Sequence, residues 1–145
     1  MDKQRVLILC TGNSARSQMA EGLPRSMAGG RFAVFSAGTK PSLVRPEAIL
    51  AMRELGVDLS SHRSKSVDEY RDASFDFVIT VCDNASESCP IFSGKAERIH
   101  WSFEDPAAVE GSEEVRLASF RKIRDQIALH LRPFVNNPGE VTGRT

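Results

Sequence analysis

An order of elements restricts this chain most. The apolar run Val6-Leu7-Ile8-Leu9 ends in a thiol, Cys10, passes through the glycine-containing loop Thr11–Ala15, and enters a stretch of helical spacing with Met19, Leu23 and Met27 on one face. An unbroken apolar run of strand length suits a strand buried on both faces, and a strand feeding a helix through a short loop belongs to a parallel sheet. The alternation recurs, with strands expected at 5–10, 31–36, 76–82 and 97–101 and helices between and after them. The pattern is α/β, and 145 residues suffice for one domain with its own core.

The helix ends are marked chemically. The first helix starts near Ala15, and Pro24 should interrupt or kink it by removing a backbone donor. The second opens at Arg45-Pro46-Glu47, with Ile49, Met52, Leu55 and Val57 expected inside and Gly56 as its C-terminal cap. The last, over 112–135, begins at Ser112 with two carboxylates behind it and carries Val115, Phe120, Ile123, Ile127 and Leu131 at helical spacing. Residues 136–145 read as a frayed tail.

Charge and thiol content exclude several function classes. Lys+Arg and Asp+Glu both number 19, so neither a nucleic-acid binder nor an acidic solvating chain is indicated. No apolar stretch has the length of a membrane span, and a cytoplasmic protein is the expectation. Cys10, Cys82 and Cys89 are too few and odd in number for a disulfide framework. His62, His100 and His130 show no metal spacing relative to them, so neither metal nor bound cofactor is expected.

Cys10 ends a strand at the edge where parallel sheets hold ligands. From Thr11 through Gly12, Asn13, Ser14 and Ala15 to Arg16 and Ser17, the loop can turn backbone N–H groups inward as an anion nest capped by a helix terminus. A tetrahedral oxyanion is the natural guest. The same groups should lower the pKa of Cys10 and make it a nucleophile, with Ser14 or Ser17 as a donor to the sulfur. Arg16 adds a fork for two oxyanion oxygens.

CTGNSARS resembles the phosphate-binding loop, Cys-x5-Arg-Ser/Thr, of low-molecular-weight protein tyrosine phosphatases, and CTGNSARSQMAEG resembles the arsenate reductases built on that fold. Where the phosphatases usually carry proline after Arg-Ser, this chain has Gln18-Met19-Ala20-Glu21. The similarity continues through Ser36-Ala37-Gly38-Thr39, Gly56-Val57-Asp58-Leu59-Ser60 and Trp101-Ser102-Phe103-Glu104-Asp105-Pro106, spanning about residues 4 to 135. It implies a single three-layer α/β/α domain with a four-stranded parallel sheet, and a general acid at Asp105.

In the thioredoxin-coupled reductases one cysteine attacks arsenate, a second attacks the first and a third attacks the second. By position these are Cys10, Cys82 and Cys89. The resemblance thus implies a monomer that reduces arsenate, with phosphate or sulfate as competing oxyanions and thioredoxin as electron donor. The alternative is a phosphatase hydrolysing phosphomonoesters through a Cys10 phosphocysteine. Against it, Tyr70 is the sole tyrosine and residues 107–111 lack the aromatic substrate wall of that group.

Some relatives bind potassium with counterparts of Asn13, Glu21 and Ser36 plus an aspartate that aligns with Lys65. An ammonium at Lys65, paired with Glu21 and ordering Asn13, replaces that charge internally, so no potassium requirement is expected. His62 is expected to be exposed and polar.

Overall fold

A computed structural model describes residues 3–28, 30–82 and 96–136. The order is β1 (Gln4–Cys10), α1 (Arg16–Ala28), β2 (Phe32–Gly38), α2 (Pro46–Arg53), β3 (Phe77–Thr80), β4 (Glu97–His100) and α3 (Glu113–Asn136), with 3₁₀ turns at Val67–Tyr70 and Pro106–Ala108. The strands form one parallel sheet in the order β2-β1-β3-β4. Among the described residues no helix is long and apolar enough to cross a membrane.

Pairing along β1 sorts the side chains by face. Val6 lies beside Val34 and Phe77, and Ile8 beside Ser36 and Ile79. This face meets the helices: Phe134 of α3 packs its ring 5.7 Å from Phe32 and 5.1 Å from Phe77. Each such pair adds about 0.5–1.5 kcal/mol beyond the area it buries. The opposite face carries Arg5, Leu7 and Phe35, and Phe35 meets Tyr70 and Phe75 while the Arg5 guanidinium lies 4.9 Å from its ring. With both faces covered, Val6 to Leu9 are all buried, as their unbroken apolar run requires.

Helix ends follow local chemistry. After α2, Gly56 at φ 75° turns the chain so that two Schellman hydrogen bonds close, Gly56 N–H donating to Arg53 O and Val57 N–H to Met52 O. Ser112 caps α3, its hydroxyl accepting from Val115 N–H at 3.3 Å. Pro24 does not interrupt α1, which runs to Ala28. Pro24 is buried, and Arg25 beside it bonds the Val34 carbonyl of edge strand β2 at 2.7 Å, so packing holds this turn despite the missing donor.

Three residues expected inside lie outside: Val115 is 49%, Leu55 47% and Met27 38% exposed. Each sits at a helix end, past the turns that meet neighbours. Periodicity assigns a face without knowing where the facing partner stops.

Because β1 connects to β2 on one side and the chain then crosses to β3 on the other, the loops after β1 and β3 diverge. That switch point opens a crevice at the carboxyl edge of the sheet.

Candidate active site

Cys10 ends β1 on one wall of the crevice, and Cys82 follows β3 on the other; both thiols are buried. The Thr11 hydroxyl lies 3.2 Å from the Cys82 sulfur. Cys10 is itself hydrogen-bonded to Cys82, and this contact, with burial, pushes the Cys10 thiol well above the ordinary thiol range. The Arg16 charge and the Thr11 N–H pull the other way. The lowered pKa expected from the loop therefore does not hold for the reduced pair. A neighbouring sulfur that shares the proton outweighs the loop dipoles.

The loop between them is shaped from outside. The carbonyls of Cys10, Thr11, Gly12 and Ser14 accept from the N–H groups of Thr39, Lys40, Ser42 and Arg45 at 2.9–3.2 Å. Ser64 adds its hydroxyl to Gly12 O at 2.8 Å. A trans peptide plane places each N–H opposite its carbonyl, so the N–H groups of Thr11, Gly12, Asn13 and Ala15 turn to the inner side of the loop. Such an inward ring of N–H groups has the form of an anion nest. The enclosing segment comes close because residue 38 is glycine: a Cβ there would stand 2.4 Å from Thr11 O and 2.9 Å from Asn13 N.

Arg16 opens α1 and reaches over the nest. Its Nη1 donates to the Phe103 carbonyl at 3.2 Å, and its Nη2 stands 3.9 Å from Asp105 Oδ2. Its Nε is buried with no partner among the described residues, a donor an oxyanion oxygen would satisfy. Asp105 caps the Pro106–Ala108 turn by accepting from Ala107 N–H at 3.0 Å, which leaves Oδ2 aimed toward Arg16. At 46% exposed it is open to water and still faces the nest.

A buried polar network backs the loop. Asn13, at φ 49°, donates through Nδ2 to Ser17 Oγ (2.8 Å) and Ser36 Oγ (3.0 Å), and accepts at Oδ1 from Lys65 N–H (2.8 Å) and Gln18 Nε2 (3.0 Å). Gln18 Nε2 also donates to the carbonyls of Asn13 and Arg63. Its Oε1 is thus the acceptor toward His62 Nδ1 at 3.0 Å, which fixes the proton on Nδ1. Glu21 closes the network, accepting from Ser36 Oγ and facing Arg25 at 3.0 Å, His62 at 3.5 Å and Lys65 Nζ at 3.7 Å. Burial lowers the pKa of both His62 and Lys65, with Glu21 opposing in each case.

The crevice brings together Cys10, Cys82, Arg16, Asp105 and the loop from Thr11 to Ser17. Cys89 lies outside the described residues. Lys65 pairs with Glu21 as expected, but its backbone N–H, not its ammonium, holds Asn13; the ammonium donates to Arg63 O at 3.0 Å. His62 is largely buried, contrary to expectation, because the Glu21 carboxylate and the Gln18 amide draw its ring inward. Sequence reasoning missed the Phe103 carbonyl and the Gln18 bonds, contacts that leave no mark in residue type. The Glu21–Arg25 pair was legible at helical spacing.

The chain matches the low molecular weight phosphotyrosine protein phosphatase family over residues 5–140. It is 42% identical to an arsenate reductase of Halalkalibacterium halodurans over 134 residues, covering 92% of this chain and 96% of that one. Among solved structures, an arsenate reductase in the phosphate binding state superposes with a TM-score of 0.69 at 29% identity, covering 92% and 97% of the two chains. A thioredoxin-dependent arsenate reductase of Corynebacterium glutamicum gives 0.65 at 28% identity, over 92% of this chain and 62% of that one. Sheet order, loop and match over nearly the whole length agree: the chain belongs to the low molecular weight phosphotyrosine protein phosphatase family.

Proposed function

We propose that this protein reduces arsenate to arsenite, with electrons from its own thiols restored by thioredoxin. The observation that carries this reading is the second buried thiol against the nucleophile. A phosphatase needs one nucleophilic cysteine and no second thiol beside it. A reductase needs that neighbour, because two electrons must leave the protein as a disulfide. The relatives named above as arsenate reductases support the same choice.

The nest and Arg16 hold the arsenate oxygens. Cys10 sulfur bonds to arsenic as the bond from arsenic to one hydroxyl breaks; that hydroxyl takes a proton from Asp105 and departs as water, and the Cys10 proton passes to the Asp105 carboxylate. Cys82 sulfur then attacks Cys10 sulfur, and the electron pair of the S–As bond stays on arsenic, which leaves as arsenite. Cys89, assigned by resemblance, attacks Cys82 and frees Cys10; thioredoxin reduces the Cys82–Cys89 bond. Phosphate and sulfate compete for the nest. All the residues belong to one chain, so a monomer suffices, and a relay starting from free thiols suits a reducing compartment, the cytoplasm.

The test incubates reduced protein with arsenate, thioredoxin, thioredoxin reductase and NADPH and follows NADPH loss. Arsenate-dependent loss that stops when thioredoxin is omitted is expected. No arsenate-dependent oxidation with any thiol donor rejects the reading.

A further inference from the structure

We propose that His130, on α3, is a positioning residue for the loop that carries Asp105: its ring closes a three-ring group with Trp101 and Phe103 that holds Phe103, and through it the acid, over the anion nest. The kinetic part of this proposal rests on the arsenate-reduction reading. The geometric part does not.

The loop from Trp101 to Asp105 leaves the sheet at Trp101 N–H, bonded to Thr80 O at 2.8 Å, and re-enters regular structure only where Ala108 N–H returns to Asp105 O. Between those bonds side chains set its path. Phe103 is the buried one, and its carbonyl is the acceptor that Arg16 uses. Its ring lies 6.5 Å from Trp101 at 70° and 5.0 Å from His130 at 83°. His130 also stands 5.5 Å from Trp101, so each of the three rings touches the other two.

An exposed helix position ordinarily carries a free polar side chain. This imidazole is instead oriented, its Nδ1 held 3.0 Å from Gln126 O and its ring set against both Trp101 and Phe103. Removing it opens one wall of the Phe103 site. Two residues on, the Asp105 carboxylate is fixed within its own turn by Ala107 N–H at 3.0 Å, but its Oδ2 stands 3.9 Å from Arg16, too long to hold that turn over the nest alone. A ring contact of this kind biases a loop by up to about tenfold in population.

The experiment uses the whole protein with arsenate, thioredoxin, thioredoxin reductase and NADPH. His130→Ala is expected to lower kcat about tenfold while KM for arsenate stays within about twofold, since Arg16 and the nest remain on α1 and β1. His130→Phe restores the rate by restoring the ring. In an Asp105→Asn background His130→Ala causes no further loss, because it acts through that carboxylate. Wild-type kcat in His130→Ala, or a loss that adds to that of Asp105→Asn, overturns the proposal.

If the wild-type protein turns over no arsenate, the preceding reading fails by itself and the clamp is read from Trp101, the only tryptophan in the chain. Titration with inorganic phosphate should then change its emission over the concentrations that protect Cys10 from iodoacetamide, and His130→Ala should abolish the change. Protection without an emission change, or no protection at all, overturns the clamp.

Discussion

The hydroxyl of Thr11 stands 3.2 Å from the sulfur of Cys82, so the first loop reaches across the crevice to the thiol that follows β3. The contact positions Cys82 beside Cys10 and, with the hydroxyl as donor, stabilises negative charge on the Cys82 sulfur. Thr11→Val keeps the shape and removes the hydroxyl. Formation of the Cys10–Cys82 disulfide after one arsenate turnover should slow about tenfold, a loss typical of one charge-assisted hydrogen bond. Alkylation of Cys10 by iodoacetamide should stay within about twofold, because the Thr11 N–H is retained. Quenched samples analysed by peptide mass measure both.

The Cys10 thiol sits high because of Cys82 first and burial second. Cys82→Ala removes the larger cause, leaving Arg16 and the Thr11 N–H to act. The pH midpoint of Cys10 alkylation should fall, and alkylation near neutral pH should quicken, although multiple turnover is lost. An unchanged or higher midpoint contradicts the account of the pair.

If the relay ends at Cys89, Cys89→Ser should complete a single turnover and stop at a Cys10–Cys82 disulfide. Thiol counting and peptide mass identify that species. Full multiple turnover in the variant excludes a three-cysteine relay and points to a small thiol as the resolving partner.

Lys65 supplies a buried positive charge 3.7 Å from Glu21. Turnover should therefore be the same in sodium and potassium buffers, and clear potassium activation sinks the idea. Lys65→Met should lower stability by about 2 kcal/mol in urea unfolding, below the ~3–5 kcal/mol of an orphaned buried charge, because Arg25 and Ser36 remain on Glu21.

Phe134 joins α3 to the sheet through Phe32, Phe77 and Trp101. Phe134→Ala should cost about 3–5 kcal/mol. Phosphate affinity, read by protection of Cys10, should change little, since the nest is built by β1, α1 and the 39–45 segment.

The run from Val6 to Leu9 and the turn from Cys10 to Arg16 were legible as a strand, a glycine-containing loop and a helix because each depends on neighbours in the chain. Gly56 and Ser112 were legible for the same reason, since a cap needs only residue type and position. Val115, Leu55 and Met27 misled, and so did Pro24, because burial at a helix end and tolerance of a proline depend on what packs there.

By itself the sequence determined a parallel α/β domain with a thiol and a guanidinium at one mouth of the sheet, for those follow from short-range spacing. Only the tertiary structure decided the chemistry of that mouth. The strand order sets Cys82 against Cys10 and reverses the expected pKa shift, the Phe103 carbonyl takes hold of Arg16, and Lys65 meets Asn13 through its backbone. Each of these contacts joins residues more than fifty positions apart, and no local spacing encodes a distance that chain folding alone creates.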